Sequence, residues 1–164
     1  MARIVIADAG PLIAFASVDL LFVLKALFSK LTMTESVRAE CGAKPGSDAQ
    51  RIATAIEAGW LCVEPDLEPC EALSPSLGAG ETDSIRLALR APEETLLILD
   101  DRLARRYALR RGLSIVGTVR LLDLAEHRGL VPDAGDCIAR MAAHGYRISP
   151  NLLVQLRTNS PSSL

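Results

Sequence analysis

A chain of 164 residues has the length of one compact domain, and 49% hydrophobic against 23% charged residues supplies a core, which sets aside a second domain and wholesale disorder. The formal net charge of −2 gives a polyanion no overall attraction, so nucleic acid must be held by local positive charge or by metal. Cys41, Cys62, Cys70 and Cys137 form no C-x-x-C pair, which argues against a zinc site and for reduced thiols in a cytoplasmic protein.

Arg3–Ala7 is predicted as a short buried strand, β-branched at Ile4, Val5 and Ile6, that ends at Asp8, with Gly10 and Pro11 opening a helix. Asp8 interrupts the apolar opening before a signal-peptide core forms, and Pro11, Asp19 and Lys25 break Gly10–Phe28 as a membrane span. A second strand, Lys30–Thr34, leads into a helix over Glu35–Cys41 with Thr34 as its N-cap. Another helix runs from Ser47 and Asp48 to Ala58 and stops at Gly59. Trp60–Glu64 reads as a strand and Pro65–Leu77 as a loop. Gly78-Ala-Gly80 opens a helix from Glu81 to Arg90, and Leu96–Leu99 is the clearest buried strand, followed at once by Asp100-Asp101. A basic helix spans Arg102–Arg111, Leu113–Val116 is a strand, and Thr118 is expected to cap a helix reaching His127. Asp133–Arg157 reads as two further helices broken at Gly145–Pro150, and 158–164 as a disordered tail. Strands that alternate with helices imply an α/β fold with a parallel sheet covered on both faces.

Ligands of open parallel sheets bind beyond the carboxyl ends of the strands, where Asp8, Asp100 and Asp101 are placed. Glu81, at the start of a helix after a glycine-rich turn, and Glu40, about two turns into its helix, can face the same place. Gathered carboxylates repel one another, and a hard cation such as Mg²⁺ or Mn²⁺ relieves that repulsion with oxygen ligands while activating water for phosphoryl transfer. Each acid also has a plain structural reading: Asp8 as a turn or cap residue, Glu40 as a solvated helix residue, Glu81 as a first-turn acid, and one of Asp100 and Asp101 as the cap of the following helix. Asp83 reads as a solvated first-turn acid close enough to assist. Arg102, Arg105 and Arg106 lie beside the aspartate pair and can contact a phosphate backbone, or else form a solvated face that balances nearby acids. The hydroxyl of Thr118, beyond its capping role, is a candidate contact to a metal-bound water. Aromatic residues make up only 4% of the chain, so base stacking is not an expected binding mode.

Other phosphate chemistries fit less well. A haloacid-dehalogenase-like phosphatase needs a second aspartate two residues after the first, where Gly10 stands, and a receiver domain needs a late lysine, whereas no lysine follows Lys44. No G-x-G-x-x-G follows a strand, and Gly42–Ser47 lacks the Gly-Lys-Ser/Thr ending of a P-loop.

I-V-I-A-D-A-G-P-L-I (4–13), L-G-A-G-E-T-D-S-I (77–85) and L-L-I-L-D-D-R-L-A-R (96–105) together resemble the PIN-domain superfamily, in particular its DUF3368 branch. V-G-T-V-R-L-L (116–122) and G-Y-R-I-S (145–149) are similar to the same branch, so the resemblance covers nearly the whole chain. It implies a PIN-like three-layer sandwich, a central parallel sheet flanked by helices, as a single domain over 1–157. It also implies an Mg²⁺- or Mn²⁺-dependent ribonuclease related to VapC-type toxins, with RNA as substrate and an antitoxin protein and a second copy of the chain as further candidate partners. The family's acids fall on Asp8, Glu40, Glu81 and either Asp100 or Asp101, with Asp8, Glu81, Asp100 and Asp101 as the metal-holding candidates and Arg102, Arg105, Arg106 and Thr118 as substrate contacts. Many PIN domains place Thr-x-Asp after the strand where Leu99-Asp100-Asp101 stands here. A PIN-fold module that binds RNA or protein without cleaving is the alternative.

Overall fold

The computed structural model describes residues 3–68 and 73–147. Its elements are β1 (Ile4–Ala7), α1 (Ala9–Ser17), α2 (Leu21–Phe28), β2 (Leu31–Thr34), α3 (Glu35–Gly42), α4 (Ser47–Glu57) and β3 (Leu61–Glu64). There follow α5 (Ala79–Ala88), β4 (Thr95–Ile98), α6 (Arg102–Arg110), β5 (Ser114–Val116), α7 (Thr118–His127) and α8 (Ala134–Ala143). The expected second helix after Gly145 and the tail at 158–164 lie outside the described residues.

Five strands form one parallel sheet in the order β3-β2-β1-β4-β5, so the chain winds outward from β1 in one direction and then, from β4, in the other. That reversal leaves a crevice beyond the carboxyl ends of β1 and β4, where loops diverge to opposite faces of the sheet. β1 is registered on β4 from Ile4↔Thr95 to Ala7↔Ile98, and the Asp8 N–H continues the pairing to the Ile98 carbonyl at 3.0 Å. Asp8 is therefore fixed by the sheet itself.

Strand side chains alternate between two hydrophobic layers, as the pleat requires. Val5, Ala7 and Ile98 join Leu12, Phe15 and Leu24 on one face, together with Leu121 of α7 and Ile138 of α8. Ile6, Leu97 and Leu99 point the other way, against Ile85 and Ala88 of α5 and Ala104 and Ala108 of α6. The result is a three-layer sandwich with helices on both faces. Each fully buried Leu, Ile or Phe contributes ~1.5–3 kcal/mol, so the two layers hold the sheet edge rigidly under the crevice.

The apolar run that Asp19 interrupts forms two helices, α1 and α2, between which the chain turns by 120°. Neither glycine nor proline marks this corner; Asp19 adopts a left-handed φ of 59°, which aspartate tolerates better than most residues. Arginines from two other helices satisfy the carbonyls there: Arg51 donates to Ala16 O at 2.8 Å and Arg140 to Val18 O at 3.1 Å. No single helix among the described residues is long and apolar enough to cross a membrane. Thr34 caps α3 as expected, accepting from the Val37 N–H at 3.2 Å. Thr118 does not cap α7: Gly117 occupies the N-cap position and Thr118 is the first helical residue, its hydroxyl turned elsewhere.

Candidate active site

Asp8 is only 5% exposed and its Oδ1 has no hydrogen-bond partner among the described residues. Although it stands at the N-cap position of α1, its side chain makes no cap bond, so the turn-or-cap reading does not account for it. Burial is the chief cause that lifts its pKa from 3.8 to about 7, and Glu81, then Glu40 and Asp100, push in the same direction against the nearby Ala9 N–H. A carboxyl group in this position is destabilised as an anion and surrounded by other acids.

Those acids come from three separate elements. Glu81, in the first turn of α5, accepts from the Gly78 N–H at 2.7 Å, one half of a capping box, and its pKa is raised by burial, by Asp101 and by Glu40. Glu40 reaches from α3 to accept from the Gly80 N–H at 2.8 Å, an approach that needs glycine, because a Cβ there would meet Glu40 Oε1 at 2.7 Å. Gly80, in the first turn of α5, thus lets one carboxylate lie against the backbone while the next residue carries another. Cys41, beside them, is a buried thiol pushed up to about 12 by burial, then by Asp8 and Glu40.

The aspartate pair separates cleanly. Asp101 caps α6, accepting from the Ala104 N–H at 2.8 Å, and its side chain lies at the surface. Asp100 turns inward and accepts three hydrogen bonds: from Thr118 N–H to Oδ1 at 2.8 Å, and from Thr118 Oγ1 and Tyr146 Oη to Oδ2, both at 2.6 Å. The Tyr146 hydroxyl is held well above the usual tyrosine range, first by burial and then by Asp100. Sequence reasoning singled out neither Tyr146 nor Gly117; both lie in stretches that carry the family resemblance, and no local pattern ties either to Asp100.

The arginines of α6 divide as well. Arg102 and Arg106 are exposed, whereas Arg105 folds back to donate to Leu99 O at 2.8 Å. It packs over Gly117, where a Cβ would stand 2.6 Å from its Nη1 and 3.0 Å from Asp100 Oδ1. Arg105 thus stands against the Asp100 corner, while Arg102 and Arg106 face solvent. Asp83, expected to be solvated, is part of a polar cluster instead: it accepts from Ser36 Oγ at 2.5 Å and pairs with Arg86 at 3.2 Å, while Asp66 accepts from the Ser36 N–H at 3.0 Å.

Among the described residues no three His, Cys, Asp or Glu side chains already converge as a metal-holding group, since Glu40, Glu81 and Asp100 each turn to a donor. The donor chemistry nonetheless fits a hard divalent cation: oxygen-only carboxylates, one of them buried with an unpartnered oxygen.

Acids gathered at the switch point of a parallel three-layer sandwich are the class of arrangement that the fold and the site define here. The family model described as a PIN domain, DUF3368, matches residues 4–160, and the chain belongs to that family. Comparison with curated proteins finds none that matches the chain.

Proposed function

We propose that this protein is a divalent-metal-dependent ribonuclease that hydrolyses RNA phosphodiester bonds at the Asp8 crevice. One observation carries the reading: a nearly fully buried carboxylate with a bare oxygen, ringed by the acids of α3, α5 and the β4–α6 junction. Burying such a charge without a partner is costly, and a fold keeps it only where something else supplies the compensation. Asp8, Glu81 and Asp100, with Glu40 alongside, would hold Mg²⁺ or Mn²⁺. When bound, the metal lowers the pKa of water and offsets the charge that develops on the phosphate.

The chain's own groups supply position. Asp8 is locked by the β1–β4 ladder, and Asp100 by Thr118. Asp101 fixes the first turn of α6, whose exposed Arg102 and Arg106 follow the aspartate pair in the chain and would attract the RNA backbone. Water attacks phosphorus and the 3′ oxygen departs, so the products carry a 3′-hydroxyl and a 5′-phosphate. The RNA's own 2′-hydroxyl is not the nucleophile.

The test is cleavage of single-stranded and structured RNA with Mg²⁺, with Mn²⁺ and with EDTA, using wild-type and Asp8→Asn proteins. Metal-dependent cleavage with 5′-phosphate ends, lost on Asp8→Asn, is expected. Robust cleavage in EDTA, or 2′,3′-cyclic phosphate products, would overturn the mechanism. A second reading, a PIN-fold module that binds RNA or protein without cutting, draws on the donors that now occupy Glu40, Glu81 and Asp100; bound but intact RNA in every metal condition would select it. A toxin role with an antitoxin partner extends the first reading, and its sign is growth arrest on expression that a neighbouring small reading frame relieves.

A further inference from the structure

Tyr146 lies just beyond the end of α8, with its N–H on Met141 O at 3.1 Å and its ring packed against the larger hydrophobic layer. Its hydroxyl crosses to Asp100 Oδ2 at 2.6 Å, the oxygen that Thr118 Oγ1 also reaches at 2.6 Å, while the Thr118 N–H takes Oδ1 at 2.8 Å. A carboxylate presents about four lone-pair positions, two on each oxygen. Both positions on Oδ2 are therefore filled, and one remains on Oδ1. Asp101 takes a different part, with its Oδ1 on the Ala104 N–H as the cap of α6.

We propose that Tyr146 is a positioning residue which, with Thr118, locks the Asp100 carboxylate so that the remaining position on Oδ1 is the one it offers to a cation. This rests on the reading of Asp100 as one of the cation-holding acids. The ring is anchored by packing and the backbone by Met141, so the hydroxyl is the group that acts on Asp100. The turn after α8 that carries Tyr146 thereby becomes part of the site's framework. Carboxylates that hold metals are themselves oriented by hydrogen bonds, and removal of such a partner typically costs 10- to 100-fold in metal affinity or activity.

The experiment is a Mn²⁺ titration without RNA, followed by melting temperature and by calorimetry, on wild-type, Tyr146→Phe, Thr118→Val, Asp100→Asn and Asp100→Asn/Tyr146→Phe proteins. Tyr146→Phe keeps the packed ring and removes only the donor, and it should weaken Mn²⁺ binding by roughly tenfold or more. In the Asp100→Asn background the same change should have little further effect, since Tyr146 acts through Asp100. On RNA, kcat should fall with KM unchanged. Wild-type Mn²⁺ affinity in the folded Tyr146→Phe protein, or an additive effect in the double variant, would overturn the proposal. If Tyr146→Phe does not fold, Thr118→Val removes the other donor to Oδ2, and wild-type Mn²⁺ affinity there overturns it equally. A wild-type protein that binds Mn²⁺ but leaves RNA intact defeats the nuclease reading alone, and the Mn²⁺ comparison still decides Tyr146. A wild-type protein with no Mn²⁺ response overturns the positioning role.

Discussion

Asp8 stores an unfavourable charge in the fold, and the direction of its pKa shift fixes how that shows. Its folded pKa, about 7, stands above the 3.8 of an ordinary aspartate, so between those values the folded state binds more protons than the unfolded chain. The metal-free protein therefore loses stability from this group as pH rises through that window. The penalty is absent below about pH 4, fully present above about pH 7, and at most on the order of 4 kcal/mol. Asp8→Asn removes it: urea melts without metal should show the variant's advantage over wild type growing between pH 4 and pH 7. An advantage independent of pH would mean that Asp8 is not the source. Which single residues matter was only partly legible in the sequence. Asp8 could be placed because a β-branched run of strand length must end where the sheet ends. Asp100 and Asp101 could not be told apart, because adjacent residues leaving a strand point in different directions and only the start of α6 decides which one caps.

At the scale of the element, α6 shows how far a helical pattern carries. Its arginine spacing is visible in the sequence, and the structure leaves Arg102 and Arg106 exposed while Arg105 is drawn to Leu99 O beside Gly117. Alanine at both Arg102 and Arg106 should reduce the salt dependence of RNA affinity by roughly 0.7 in log–log slope for each phosphate no longer neutralised, with Mn²⁺ binding intact. Arg105→Ala should instead disturb the Asp100 corner and weaken Mn²⁺ binding with less change in slope. Filter-binding titrations over a range of salt measure both; an unchanged slope in the double variant would return this face to plain solvation. The α1–α2 corner was legible only in part: Asp19 interrupts the apolar run, but the carbonyls there are satisfied by tertiary hydrogen bonds from Arg51 and Arg140, which no local composition announces. Thr118 illustrates a third: threonine before a helix usually caps it, yet here the neighbouring glycine takes the cap and the hydroxyl serves Asp100.

For the molecule as a whole, a cation that binds only the folded state adds stability by mass action. At ~100 times its dissociation constant, Mg²⁺ or Mn²⁺ should stabilise the wild-type protein by ~2.7 kcal/mol, and Asp8→Asn should lose most of that gain. Melting curves with and without metal check it, and an intact metal shift in the variant would remove Asp8 from the cation site. The sheet order sets a further condition on when any of this can operate. β1 comes first in the chain yet lies at the centre of the sheet, and of its two partner strands one, Thr95–Ile98, comes some ninety residues later. A growing chain thus carries Asp8 out of the ribosome well before the strand that leads to Asp100 and the helix that holds Thr118 exist. At ~5–20 residues per second this interval lasts several seconds or longer, and long-range parallel pairing is itself slow to form. Until β4 has been made and has paired with β1, Asp8 and Asp100 are strangers to one another, and the site comes into being only when the two halves of the sheet meet.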